Sequence, residues 1–302
     1  MNALRLAALA LVVAAAAVHG QALDDSIPPG ANFDKAQFRL WLPQGVQHLR
    51  ATLVLVPGSN GDGRAMAQDS VWQAFARRNQ LAIVACRFAD KPHEQGFIED
   101  YVNVSSGSGD ALLEIINRFA TRSGHAELAS APLLLWGMSA GGQFDYEFAA
   151  WKPERVIAFV VNKGGIYYTA LTPRATRVIP ALLFVGEKDL ESRVATITGL
   201  FALNRRGGAL WALVKEPGAA HVVGRSRDLS ILFFEDVLPM RLSESGALTP
   251  LAESAGLVGD PHTKEIRGIG DGQQPNYPTA WLPTKRAALA WQAVETEKPF
   301  EP

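Results

Sequence analysis

Hydrophobic residues in this chain gather into short, uninterrupted runs, and the segments between the runs repeat their apolar positions every three to four residues. The run Ala51–Val56 is apolar and β-branched and stops at Pro57-Gly58, the pattern of a buried strand feeding a turn. Residues 66–78 carry Met66, Val71, Trp72, Phe75 and Ala76 on one helical face. A second strand follows at 81–86. A helix at 110–119 is expected to open on Asp110, with Leu112, Leu113, Ile115, Ile116 and Phe119 as its stripe. Strands at 133–136, 156–161, 181–185 and 210–214 alternate with helices at 141–151, 191–204 and 228–237. Strands apolar on both faces, separated by helices, predict an α/β fold whose mostly parallel central sheet is covered on both sides.

Two segments depart from that rhythm. Residues 1–22 combine Arg5, an apolar stretch at 6–18 and the small residues Gly20 and Ala22, the pattern of an export signal cleaved after Ala22. Thirteen apolar residues are short of the roughly 20 that span a bilayer. A secreted or periplasmic chain without a membrane anchor is therefore expected. Residues 241–302 are rich in Gly, Pro and polar side chains, with one short helix at 284–295. They hold too few apolar residues for a core of their own and read as an extension packed on a single catalytic domain at 23–240.

Charge and composition narrow the function. With 29 basic against 30 acidic residues, no cationic surplus remains for a nucleic-acid backbone. The single cysteine, Cys86, lies inside the run at 81–86 and reads as a small core residue. No His/Cys cluster has metal-ligand spacing. Oligomeric state is not encoded legibly.

The chemistry should lie at the carboxyl ends of the strands. There, 133–136 runs into Gly137-Met138-Ser139-Ala140-Gly141 and then a helix, the G-x-S-x-G turn that lifts a serine hydroxyl clear of a sheet. A serine nucleophile needs a base, and the base needs a carboxylate, in the chain order Ser, Asp or Glu, His. The strand at 181–185 ends in Gly186-Glu187-Lys188-Asp189 and selects Asp189, with Glu187 and Glu191 as rivals. The loop after 210–214 supplies His221, whereas His48, His93 and His125 precede the acid and His262 falls in the extension. An oxyanion needs two donors: the N–H of Ala140, and one from the Pro57-Gly58-Ser59-Asn60-Gly61 loop, with Ser59 first by register and Asn60 next. Asn60, Tyr167 and Tyr168 are candidates for contact with substrate, as are Phe97 and Tyr101.

The elbow Gly137-Met-Ser139-Ala-Gly141-Gly-Gln-Phe144, the segment Pro153-Glu-Arg-Val156, the Gly186-x-x-Asp189 turn and the Gly218-x-x-His221 loop together resemble the α/β-hydrolase superfamily across residues 38–240. The short core is similar to polyhydroxybutyrate-depolymerase-like and feruloyl-esterase-like secreted esterases and to dienelactone hydrolases. Dienelactone hydrolases carry cysteine where this chain has Ser139, and many relatives carry His-Gly where it has Pro57-Gly58. The resemblance implies a serine esterase acting through an acyl-enzyme on a small or polymer-borne ester, with no cofactor or metal. With only residues 162–180 between the neighbouring strands, no large lid is expected. A peptidase or amidase with the same three residues, or a non-catalytic binding module on the same scaffold, are the alternatives.

Overall fold

The computed structural model describes residues 21–94, 98–271 and 275–301, so residues 1–20 of the expected leader and the candidate Phe97 lie outside the described residues. Eight strands form one sheet: β1 (Gln21–Ile27), β2 (Lys35–Leu42), β3 (Ala51–Val56), β4 (Leu81–Ala89), β5 (Leu133–Met138), β6 (Val156–Asn162), β7 (Ala181–Gly186) and β8 (Trp211–Glu216). Their order is β1-β2-β4-β3-β5-β6-β7-β8. From β4 across to β8 every pair is parallel, while β2 runs antiparallel to both β1 and β4.

Five helices connect these strands, α1 (Ser70–Asn79), α2 (Ser108–Ser123), α3 (Ala140–Trp151), α4 (Arg174–Arg177) and α5 (Glu191–Arg206), and α6 (Ser226–Arg241) follows β8. Alternate residues of each central strand point to opposite faces, and both faces are buried. Val54, Val84 and Leu135 meet Ile115 of α2, Phe144 of α3 and Phe201 of α5 on one side. Leu53, Ile83 and Leu134 meet Phe75 of α1 and Phe233 of α6 on the other. Each such side chain contributes roughly 1.5–3 kcal/mol by leaving water, which is why the central strands read as unbroken apolar runs.

Several boundaries differ from the sequence expectation for local reasons. The helix expected at 66–78 starts at Ser70, because the Asp69 carboxylate accepts the N–H groups of Val71 (2.8 Å) and Trp72 (3.1 Å) and caps α1 there. Met66 belongs to a separate 3₁₀ turn, Arg64–Gln68. Asp110 does not open α2; Gly107 does, at φ 135°, and Asp110 sits in the first turn, where the helix dipole favours an acid. Strands β1 and β2 have no counterpart in the apolar runs. In β2 only Ala36, Phe38 and Leu40 alternate inward before the buried Trp41 and Leu42, and β1 pairs with β2 alone. Gln21 and Ala22 pair with Leu42 and Trp41, so β1 crosses the position after Ala22.

After α6 the chain forms a small antiparallel sheet of β9 (Leu257–Gly259), β10 (Ile266–Gly268) and β11 (Ala280–Leu282), then helix α7 (Lys285–Glu295). Strand β8 is the outer strand of the main sheet, and α7 covers it. Trp291 Nε1–H donates to the Leu213 carbonyl (2.8 Å), and Glu295 Oε1 accepts the Lys215 N–H (2.7 Å). These two side chains satisfy backbone groups that an open sheet edge leaves unpaired.

Candidate active site

Ser139 stands between β5 and α3 with φ 55° and ψ −121°, a conformation that costs a non-glycine residue roughly 1–3 kcal/mol. The surroundings hold it there. Its N–H donates to the Asn162 carbonyl (2.7 Å), and its carbonyl accepts the Gln143 N–H (3.1 Å). Glycine makes the turn possible on both flanks: a Cβ on Gly137 would come within 2.2 Å of the Gly141 backbone, and one on Gly141 within 2.2 Å of the Val56 carbonyl oxygen.

The acid turn and the histidine loop are laced together by main-chain bonds. Glu187 N–H donates to the Glu216 carbonyl (3.0 Å), and Lys188 N–H donates to the Ala219 carbonyl (2.8 Å). A Cβ on Gly186 would lie 2.6 Å from that Ala219 oxygen, so only glycine lets the two loops approach so closely. The rivals for the acid are engaged or exposed: Glu187 accepts the Gly218 N–H (2.8 Å) and pairs with Lys215, and Glu191 occupies the exposed first turn of α5.

Asp189 and His221 meet. Asp189 Oδ2 lies 2.8 Å from His221 Nδ1, and His221 Nε2 lies 3.0 Å from Ser139 Oγ. An ionised carboxylate can only accept, so Nδ1 carries the proton and Nε2 is left to accept from the serine hydroxyl. Burial alone would push the Asp189 carboxyl up. Hydrogen bonds from His221, the Leu190 N–H (2.7 Å) and Arg193 (3.2 Å) outweigh it and hold the carboxyl below its ordinary value.

Ser59 and Ser139 line one cavity of about 490 Å³. A Cβ on Gly58 would lie 3.6 Å from Ser139 Cβ, so the 57–63 loop passes directly beside the elbow. Asn60 is engaged elsewhere. Its N–H donates to Tyr101 Oη (3.3 Å), and its Oδ1 accepts the Asp90 N–H (2.7 Å). Of the two loop donors considered from sequence, Ser59 is therefore the one whose N–H has no such partner among the described residues.

Tyr101, Tyr167 and Tyr168 are not among the residues that line the cavity with Ser139. Tyr167 packs edge-on against Tyr146 at 4.9 Å, with its hydroxyl against Gly164, and Tyr101 stacks on Phe88. The Tyr168 side chain is half exposed and does not line the cavity with Ser139. Side chains of α3 hold the loop of Tyr167 and Tyr168: Gln143 Oε1 accepts the Gly165 N–H (2.8 Å), and Glu147 accepts the N–H groups of Tyr168 (2.8 Å) and Thr169 (2.9 Å).

No family model matches the chain, and no curated protein matches its sequence. Solved structures do match. A ferulic acid esterase aligns with TM-score 0.54 at 11% identity, over 74% of this chain and 99% of its own. A poly(3-hydroxybutyrate) depolymerase from Bordetella parapertussis aligns with TM-score 0.52 at 19% identity, over 72% and 91%. An S-formylglutathione hydrolase from Staphylococcus aureus aligns with TM-score 0.50 at 13% identity, over 73% and 97%. This chain has the α/β-hydrolase fold.

On this α/β-hydrolase scaffold three features went unread in the sequence. Lys163, fully buried at φ 58°, ion-pairs with buried Glu216, which also accepts the Arg225 N–H (2.6 Å). The pair joins the end of β6 to the loop bearing His221. Arg193 and Gln143 line the cavity beside Ser139. Each follows a site residue by four positions, Asp189 and Ser139 respectively. That spacing puts a helical side chain beside its predecessor, and it was the only signal available.

Proposed function

We propose that this protein is a serine hydrolase of carboxylic esters working through an acyl-enzyme. The observation that carries the reading is the continuous relay from Ser139 Oγ through His221 to Asp189, at 3.0 and 2.8 Å, at the carboxyl ends of parallel strands. Ser139 Oγ attacks the ester carbonyl and its proton passes to His221 Nε2, while Asp189 holds the ring and stabilises the imidazolium. The carbonyl oxygen becomes an oxyanion facing the N–H groups of Ala140 and Ser59, each donor being worth roughly 3 kcal/mol in the transition state. Collapse breaks the ester bond, and His221 returns the proton to the departing alkoxide. Water activated by the same histidine then attacks the acyl-serine and releases the acid.

A fluorophosphonate should modify Ser139 stoichiometrically, located by peptide mass spectrometry. The Ser139→Ala variant should keep its circular dichroism and lose about 10³ to 10⁶ in kcat on p-nitrophenyl acetate. Full turnover by that variant, or labelling at another residue, refutes the proposal. A matched panel of esters and anilides separates an esterase from an amidase, since an amidase must protonate an amine leaving group.

A further inference from the structure

The cavity beside Ser139 is chemically lopsided. On one wall Arg193 gives a single hydrogen bond, Nη1–H to Asp189 Oδ1 at 3.2 Å, on an oxygen that the Leu190 N–H already serves at 2.7 Å. A guanidinium carries five donors in a rigid fork suited to a carboxylate, and no other acceptor meets this one among the described residues. Gln143 lies next to it: the Cβ position of Gly165 is 3.4 Å from Arg193 Nε and 3.6 Å from Gln143 Oε1. The Gly165 N–H fixes that amide by donating to Oε1 (2.8 Å), which leaves Nε2 as its free donor. Nε2 is buried with no acceptor, in a residue only 4% exposed that lines the cavity. A buried donor left unmade is costly, and an acceptor supplied by a ligand removes the cost.

Among the described residues Glu99 is the other charged one that lines this cavity. It does so together with Ser59, and the same two residues line an adjoining cavity of about 310 Å³. A substrate bearing an anion is thus drawn towards Arg193 and turned away from Glu99. Ser139 and Gln143 are separated by one helical turn, roughly 6 Å along the axis, so the anion must sit only a few bonds from the ester carbonyl.

We infer that Arg193 and Gln143 form a subsite for a carboxylate, and that the preferred substrates are esters carrying a free carboxylate a few bonds from the scissile carbonyl. This rests on the esterase reading above, and the test separates the two. The probes are 4-nitrophenyl hydrogen glutarate and its methyl ester, which differ at the far carboxyl, each rate being taken above the enzyme-free release of nitrophenolate to which the acid's own carboxylate contributes. Wild type should favour the acid over the methyl ester by about tenfold to a hundredfold in kcat/KM, the range of a charge-assisted hydrogen bond. Arg193→Met should bring that ratio close to one, Arg193→Lys should restore part of it, and added salt should lower it in wild type. Because Arg193 also touches Asp189, the ratio and not the absolute rate is the readout. A ratio near one in wild type, or one unchanged by Arg193→Met, overturns the subsite.

If neither ester is hydrolysed and no fluorophosphonate reacts, the esterase reading fails. Calorimetric titration with monomethyl glutarate then decides the subsite alone. Heat with Ser139→Ala that disappears in Ser139→Ala/Arg193→Met supports it. No heat with Ser139→Ala overturns it.

Discussion

The buried ion pair behind the histidine loop makes a quantitative claim about what Lys163 does. Its side chain is wholly buried, and Glu216 is 3% exposed with one further donor, the Arg225 N–H. Replacing the ammonium by an apolar chain of similar length, as in Lys163→Met, leaves a carboxylate with nowhere to put its charge. Either the charge stays buried and unpaired, or the side chain takes up a proton. An ordinary glutamate ionises near pH 4.3, and holding a proton on one at pH 7 costs about 1.36 kcal/mol for each of some 2.7 pH units, or ~3.7 kcal/mol. That agrees with the 3–5 kcal/mol typical when one partner of a buried pair is removed. The same arithmetic makes the defect acid-reversible, since at pH 5 the cost falls to ~1 kcal/mol. Urea denaturation of wild type and variant at pH 5 and pH 7 should therefore show the gap closing by about 2.7 kcal/mol. In the double variant Lys163→Met/Glu216→Gln the amide still accepts the Arg225 N–H, and stability should return to near that of wild type at both values. A loss at pH 5 as large as at pH 7, or a double variant no better than the single, refutes the reasoning.

Two further substitutions probe the frame. Gly141→Ala places a methyl 2.2 Å from the Val56 carbonyl oxygen and 2.6 Å from that of Pro57, backbone atoms that cannot swing aside; it should cost about 1–3 kcal/mol and abolish fluorophosphonate labelling, whereas Gly199→Ala, in open space on α5, should stabilise by roughly 0.5–1 kcal/mol. Urea denaturation and labelling check both, and a labelled, fully stable Gly141→Ala protein refutes the account of the elbow. Asp145, fully buried in α3 with neither carboxyl oxygen bonded, has its ionisation pushed well above 3.8 by burial. The folded state thus keeps a proton that the unfolded chain releases, a contribution present in full below 3.8 and lost as pH rises towards the folded value. Relative to Asp145→Asn, wild type should lose about 1.4 kcal/mol per pH unit across that window, and parallel stability-against-pH curves refute this.

What the sequence made legible follows from how locally each feature is encoded. The three relay residues each follow an apolar strand run within a few residues, and the glycines at 137, 141 and 186 mark where backbone passes within contact of backbone. Strand β1, Gln-Ala-Leu-Asp-Asp-Ser-Ile, sends no such signal because it pairs with one strand only and turns just Leu23 and Ile27 to the core. The Lys163–Glu216 pair spans 53 positions, and nothing near either residue names its partner. Tyr167 and Tyr168 were attractive for their side-chain type. Their positions are set instead by Gln143, Glu147 and Asn204, which bond to the backbone of Gly165, Tyr168, Thr169 and Thr172.

Those bonds explain how one helix organises the cleft. Ser139, Gln143 and Glu147 recur every four residues along the start of α3, and in an isolated helix such a polar stripe would face water. Here Gln143 and Glu147 are 4% and 6% exposed. The stripe faces a loop, not solvent, and each residue uses it differently: Ser139 lies at the relay, Gln143 orients Gly165 beside Arg193, and Glu147 pins Tyr168 and Thr169. Ser139 and the Gln143 half of the inferred subsite are thereby fixed to the same rigid element, one turn apart, while α5 supplies Arg193. A substrate that docks its anion at Arg193 has its carbonyl held near Ser139 in the same cavity, so selectivity for the carboxylate should appear in kcat as well as in KM.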